Sequence, residues 1–161
     1  MSQKFKAVPR VIITGDRAGK SFVKQDSLAT NVKEHFKGLI ISDIWATDTM
    51  PVDIDKKVEI ENTGLPIVPS NGSYVRYVTI PPDAELGIEA KEGQPHPLMH
   101  QTDTLDYIII LQGELYLILD TEEILLKQGD IVIQTATNHA WSNRTNETVI
   151  QLAILLDAKQ K

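Results

Sequence analysis

The sequence predicts an all-β fold, in which short strands form a sandwich or barrel behind an N-terminal β-hairpin. Two long runs of alternating β-type residues lie between Gly93 and Asn143, with turns centred on Gly113 and Gly129. The second half of the chain has no stretch of ten residues with helical periodicity. Many short strands at regular spacing, separated by Gly and Pro, are typical of sandwiches and barrels.

The N-terminal hairpin is predicted from two β-type segments that flank Gly15 and Gly19. The β-branched run at 11–14 favours a strand, and the glycines favour a turn between it and the next strand. The predicted strands are, in chain order, 6–14, 21–24, 39–47, 73–80, 105–111, 114–120, 123–127, 130–135, 139–144 and 149–156.

Two segments of the first half are predicted to lie outside these strands. Residues 26–38 are polar, and we expect irregular structure there with one helical turn over 31–37. Residues 50–73 are rich in Pro and Gly, which indicates a long surface excursion with a short edge strand at 58–60. The length of this excursion suggests a lid or a dimer contact.

Composition excludes several classes of function. The net charge of −6 argues against nucleic acid as a partner, because phosphate binding needs a basic surface. The chain has no cysteine, so any metal must be held by His, carboxylate or water. The N-terminus has no apolar signal core, and no apolar run is long enough to span a membrane. We therefore expect a cytoplasmic protein without a membrane partner.

Three side chains are predicted to converge on a metal. His100 and Asp106 are six residues apart, so a regular strand places both on one face. His139 lies on a later strand, and face-to-face packing of the two hairpins would bring it close to them. Two imidazoles and one carboxylate leave open positions on a divalent transition metal. Fe, Mn, Ni, Cu and Zn all suit these ligands, and the ligand types do not choose among them.

The same stretch resembles the two sequence motifs of the cupin superfamily. His100 takes the position of the first histidine of the first motif, Asp106 takes that of its glutamate, and Gly113 follows after six residues. The second motif is matched by Gly129, His139 and Asn143. The resemblance implies a single cupin domain over residues 1–161, a jelly-roll β-barrel with a pocket at one end. Its N-terminal strands and long loop would cover 1–80, and the core with both motifs would cover 81–158.

The departures from the family pattern concern the metal ligands. Thr102 stands where the first motif has its second histidine, and Asp106 is one methylene shorter than the usual glutamate. The usual site of three histidines and one glutamate is therefore reduced to His100, Asp106 and His139. The resemblance also implies a homodimer, since such proteins often pair by exchanging N-terminal strands.

Other residues are candidates for substrate binding. Thr102 is expected to line the pocket or to hold a metal-bound water. Arg76 would attract an anionic substrate from the barrel interior, although the outer face of the sheet is the favoured alternative. Trp141 is a candidate for the pocket wall, with the core as its alternative. His96 is expected in a rigid loop at the barrel mouth, and Asn143 is expected to hold a turn.

The motifs predict a metal-binding protein that acts on a small organic molecule in the barrel. As an enzyme, it would be an oxygenase, isomerase, decarboxylase or dehydratase of a small carbonyl or phenolic compound. No catalytic base is assigned by the sequence. The alternative is a non-enzymatic ligand-binding or sensor cupin with a degenerate metal site, which the replacement of histidine by Thr102 favours. A third alternative is a structural dimer with an inactive pocket.

Overall fold

The computed structural model of the protein describes residues 6–91 and 93–159. Within these residues it contains eleven β-strands and one short α-helix. The all-β prediction is therefore confirmed. The elements are, in chain order, β1 (Arg10–Arg17), β2 (Lys20–Leu28), β3 (Val32–Phe36), β4 (Leu39–Thr47), β5 (Ser73–Ile80), α1 (Asp83–Leu86), β6 (Thr104–Gln112), β7 (Glu114–Ile118), β8 (Glu123–Lys127), β9 (Ile131–Thr135), β10 (Ala140–Ser142) and β11 (Val149–Asp157).

Two antiparallel sheets enclose the core. The larger sheet has the strand order β3-β4-β5-β11-β6-β9, and the smaller has the order β10-β7-β8. Apolar side chains of alternating residues meet between the sheets, as expected when one face of each strand is buried. The larger sheet contributes Ile41, Val78, Ile108 and Leu155 among others, and the smaller sheet contributes Leu115, Leu117 and Leu126.

The N-terminal hairpin forms a separate two-stranded sheet from β1 and β2. Its turn contains Ala18 and Gly19, which both have positive φ, and Asp16 accepts a hydrogen bond from the Gly19 amide at 3.0 Å. Two consecutive residues with positive φ match the right-handed twist of a hairpin. The hairpin prediction is confirmed, but β1 begins and ends later than the predicted strand at 6–14 and includes Gly15, and β2 is longer than the predicted strand at 21–24.

The predicted helical turn over 31–37 is wrong, because Val32–Phe36 forms the edge strand β3. β3 pairs with β4 through its backbone, so its polar side chains do not prevent strand formation. The predicted edge strand at 58–60 is also wrong. Val58 and Ile60 pack against the core as parts of the loop, and the Ile60 carbonyl accepts a hydrogen bond from the Asn31 side chain at 3.0 Å.

The connection from β5 to β6 brings residues 98–102 to one end of the sandwich. It begins with α1, which ends at Gly87 in the left-handed conformation (φ 67°). Left-handed φ is the conformation in which glycine most often ends a helix. No helix in the described part of the chain has the length and apolarity needed to cross a bilayer.

Candidate metal and substrate site

A cavity of about 430 Å³ lies at this end of the sandwich. Its walls come from β4, β5, β6 and β11 of the larger sheet, from the loop at 64–66 and from residues 98–102. All six residues that the sequence nominated for the site line this cavity. They are His100, Asp106 and His139 for the metal, and Thr102, Arg76 and Trp141 for the substrate.

His100 and His139 lie directly opposite each other in a short antiparallel bridge. The backbone amide of each donates a hydrogen bond to the carbonyl of the other, at 2.8 and 2.9 Å. Opposed residues of an antiparallel pair project from the same face, and the two ring centroids are 4.3 Å apart. Backbone pairing of the two segments therefore brings the histidines together. The predicted face-to-face packing of the two hairpins is not the cause.

Both imidazoles are oriented by backbone carbonyls. Nδ1 of His100 lies 2.9 Å from the Leu98 carbonyl, and Nδ1 of His139 lies 2.9 Å from the Thr137 carbonyl. A carbonyl oxygen only accepts, so each neutral ring donates from Nδ1 and keeps a lone pair on Nε2. Metal-binding histidines usually have their second nitrogen held in this way. The pair therefore has the tautomer that a metal ion would require.

Burial keeps His139 neutral. The side chain is 3% exposed, and burial lowers the pKa of His139 to about 4. The hydrogen bond to the Thr137 carbonyl acts in the opposite direction, and the positive charge of a protonated His100 would lower the pKa further. At neutral pH the His139 imidazole is thus unprotonated at Nε2 and available as an acceptor or ligand.

Asp106 lines the same cavity from β6. The regular strand from His100 to Asp106 that the parity prediction assumed is absent, since β6 begins at Thr104 and His100 lies in a separate bridge. Its side chain is buried, and Oδ1 has no hydrogen-bond partner among the described residues. Burial raises the pKa of Asp106, while the Thr104 hydroxyl and a charged His100 oppose that shift. A buried hydrogen-bond acceptor without a donor lowers the stability of the fold, so a bound cation or a ligand hydroxyl at this oxygen would be stabilising.

The residues present fit a metal ion in part. Two imidazoles with the required tautomer and a carboxylate with an unpartnered oxygen line one cavity. However, across residues 6–91 and 93–159 no three His, Asp or Glu side chains lie close enough together to hold a metal ion. The structure brings the two histidines together and places Asp106 on the same wall without completing a group of three.

Thr102 and Trp141 complete this end of the cavity. The Thr102 hydroxyl lies 2.8 Å from that of Thr104, so each hydroxyl has a partner. Trp141 follows His139 by two residues on the same face and meets its ring edge-on, with 5.5 Å between centroids. Trp141 is therefore both a core residue and part of the wall, which combines the two alternatives that the sequence left open.

Arg76 faces the cavity, and the prediction that favoured the outer face of the sheet is wrong. Its guanidinium makes a bidentate ion pair with Asp43, with Nε–Oδ1 at 2.8 Å and Nη2–Oδ2 at 3.1 Å. Nη1 donates to the Gly64 carbonyl at 2.6 Å. The reason for the inward position is the register, because Asp43 and Arg76 are directly opposed in the β4–β5 pair. Arg76 thus ties the 50–73 loop to the cavity wall.

Two other predicted residues lie outside the cavity. Asn143 is fully buried, and its side-chain amide donates to the carbonyls of Ile80 and Glu147 at 2.9 and 2.8 Å. This confirms its predicted role in holding a turn. His96 is buried in the loop before His100 and is not among the residues that line the cavity. Burial lowers the pKa of His96, and the nearby negative charge of Asp83 opposes that shift.

Sequence reasoning missed three residues of the site. Asp43 neutralises Arg76, and Gln151 lines the cavity from β11 with an Oε1 that has no partner among the described residues. Gln134 lies opposite Asp106 and donates to the Thr137 carbonyl at 3.2 Å, the same carbonyl that orients His139. Gln151 has the same parity as Ala153 and Leu155 on its strand, and this signal could have placed it on the inner face.

Comparison with known proteins identifies the family. The family model described as Cupin domain matches residues 78–155. The cupin-domain-containing oxidoreductase fogC of Aspergillus ruber is 30% identical over 158 residues, which cover 90% of this chain and 70% of that protein. The chain therefore belongs to the cupin superfamily. The expected cupin barrel with an N-terminal hairpin is confirmed.

Two further comparisons agree with this assignment. Phomopsin biosynthesis cluster protein D of Diaporthe leptostromiformis is 36% identical over 109 residues, which cover 63% of this chain and 52% of that protein. The Cnp3 cupin domain of Schizosaccharomyces pombe superposes with a TM-score of 0.50 at 13% identity, over 95% of this chain and 86% of that domain. That likeness concerns the fold alone. The chain spans about half the length of several of the curated relatives that it matches.

Proposed function

We propose that this protein is a metal-dependent enzyme, of the oxidoreductase type, that acts on a small organic molecule in the cavity. The observation that carries the proposal is the opposed pair of His100 and His139, which both line one largely apolar cavity. Relatives at 30–34% identity are named cupin-domain-containing oxidoreductases, which supports the reaction class. The substrate class is that of small carbonyl or phenolic compounds.

His100 and His139 would hold a divalent metal, with Asp106 as the third ligand from the same wall. When bound, such a metal supplies Lewis-acid or redox chemistry. Metals of the Fe, Mn, Ni, Cu and Zn group suit imidazole and carboxylate ligands. The Leu98 and Thr137 carbonyls keep the imidazoles in the ligating tautomer, and Thr102 borders the space beside them.

The walls of the cavity would orient the substrate and exclude water. Most of the residues that line it are apolar, and the loop at 64–66 forms part of the wall. Trp141 provides a flat surface next to His139 for an aromatic or planar group. These features position a small molecule against the two imidazoles and keep the surrounding dielectric low.

A second candidate function is non-enzymatic binding of a small molecule. The observation that favours it is that the described residues contain no complete three-residue metal group. In this alternative the two imidazoles and Asp106 would contact the ligand directly as hydrogen-bond acceptors.

Metal uptake separates the two functions. Protein purified without an affinity tag is expected to contain about one transition metal per chain by elemental analysis, and adding that metal is expected to raise the melting temperature. His100→Ala and His139→Ala should each abolish both effects, because two ligands cannot hold the ion against bulk water. Asp106→Asn should weaken uptake.

The control is His35→Ala, since His35 bonds to Asn62 and lies outside the cavity. This variant should bind metal like the wild type. Absence of metal from the wild type, together with no melting shift from Fe, Mn, Ni, Cu or Zn, would leave the binding function as the better account.

We also propose that the protein is a homodimer whose contacts involve the N-terminal hairpin. An isolated two-stranded hairpin is only marginally stable in water, and this one forms no part of either sheet. Ile12, Val23 and Leu28 on it are each more than half exposed. Light scattering is expected to give the mass of two chains for the wild type and of one chain for Ile12→Lys combined with Val23→Lys. A wild-type mass of one chain would contradict the proposal.

A further inference from the structure

The described walls of the cavity offer no free lysine or arginine side chain to an anionic substrate. Among the described residues that line it, Arg76 is the only one with a permanent positive charge. All three of its guanidinium nitrogens are engaged, two by Asp43 and one by the Gly64 carbonyl. The Arg76 and Asp43 side chains are 7% and 0% exposed. The charge of Arg76 is therefore compensated within the wall.

An anionic ligand would have to compete with Asp43 for the guanidinium. Displaced from Arg76, the Asp43 carboxylate would be buried without a partner, which is strongly unfavourable. Two further carboxyl groups, Asp83 and Asp106, also line the cavity and would repel an anion. The wall thus disfavours a carboxylate or phosphate group on the substrate.

The polar groups of the cavity are few and lie among hydrocarbon side chains. Gln151 is 5% exposed and lies between Ile110 and Val78 on the two neighbouring strands. Its Oε1 has no hydrogen-bond partner among the described residues. A buried amide oxygen that lacks a donor is unfavourable, and a ligand hydroxyl could satisfy it because a hydroxyl donates and an amide oxygen accepts.

We infer that the cavity takes an organic molecule with a hydrocarbon body, no anionic group and a hydroxyl that donates a hydrogen bond to Oε1 of Gln151. The inference rests on the proposed function, since it assumes that the cavity holds the substrate. It assigns Arg76 to the wall as a structural residue and gives Gln151 the role of a positioning residue. Uncharged alcohols and phenols fit this description.

A matched pair of ligands tests the inference on the metal-free chain, so that direct binding of a carboxylate to a metal does not enter the comparison. The probes are 4-propylbenzyl alcohol and 4-propylbenzoate, which share one carbon skeleton and differ in charge. Tryptophan fluorescence follows binding, because Trp141 lines the cavity. The alcohol is expected to bind at least about tenfold more tightly than the carboxylate, because a buried anion needs a free cation as its partner.

Gln151→Leu tests the hydrogen bond. The wild type should prefer 4-propylbenzyl alcohol to 4-propyltoluene, and the variant should lose most of that preference. If the substitution only perturbs the cavity, the affinities for both ligands will fall equally and the preference for the alcohol will remain. That result would overturn the role of Gln151.

Two other outcomes separate this inference from the proposed function. Tighter binding of the carboxylate by the wild type would overturn the exclusion of anionic substrates and leave the cavity as the binding site. Failure of every probe to bind would overturn the inference and also count against the cavity as a substrate site.

Discussion

Replacing Arg76 by methionine is expected to lower the free energy of unfolding by about 3–5 kcal/mol, the usual cost of removing one member of a buried ion pair. The variant leaves the Asp43 carboxylate fully buried without its two charged hydrogen bonds. It also leaves the Gly64 carbonyl without its donor, which loosens the loop over the cavity. Urea unfolding followed by circular dichroism measures the change.

The hairpin pair of Arg10 and Asp26 is a matched control. It has the same bidentate chemistry, but its two side chains are 63% and 42% exposed. Solvent screens exposed pairs, so Arg10→Met should change stability little. A loss at Arg76 as small as the loss at Arg10 would show that the buried pair does not stabilise the wall. The double replacement of Asp43 and Arg76 by apolar residues is expected to be less destabilising than Arg76→Met alone.

Replacing Asn143 by alanine is expected to destabilise the protein by about 2–4 kcal/mol, because buried polar groups lose their partners. The Asn143 amide links the Ile80 and Glu147 carbonyls, and its Oδ1 accepts from the amide and hydroxyl of Thr145 at 3.1 and 2.7 Å. Alanine removes all four bonds from a site with no exposure to water. Urea unfolding again measures the effect.

Asn146→Ala is the control for this position, since Asn146 has the same side chain on the surface three residues later. It should change stability by less than about 0.5 kcal/mol, as surface substitutions usually do. A loss below about 1 kcal/mol at Asn143 would mean that the turn keeps its shape without the side chain.

The strands of the core were predictable because their apolar residues alternate. The predicted segments 39–47, 73–80 and 123–127 coincide with β4, β5 and β8. β3 was not predictable, since it is an edge strand whose pairing with β4 depends on its backbone and hardly on its polar side chains. The opposite error arose at 58–60, where alternating apolar residues are buried without any backbone pairing. An alternating pattern of apolar residues therefore indicates that those residues are buried, but a buried segment is not necessarily a strand.

Strand parity and the motif resemblance predicted which residues line the site. Parity predicted His100 and Asp106 on one wall, and both line the cavity, although residues 101–103 between them do not form the regular strand that parity assumes. The environment of Arg76 was harder to predict, because its partner Asp43 is 33 residues away. A signal was present, however. Each of these opposite charges lies in the middle of an apolar strand, and a buried charge requires a partner.

The bridge between His100 and His139 has a consequence for any ligand that contacts both rings. Reciprocal backbone hydrogen bonds and two carbonyl contacts at Nδ1 set the spacing and tilt of the imidazoles during folding. The incoming molecule or ion then meets a preorganised receptor, and the conformational entropy of ordering these side chains does not reduce its affinity. Substitutions that disturb this backbone pairing should therefore weaken binding even where both histidines are retained.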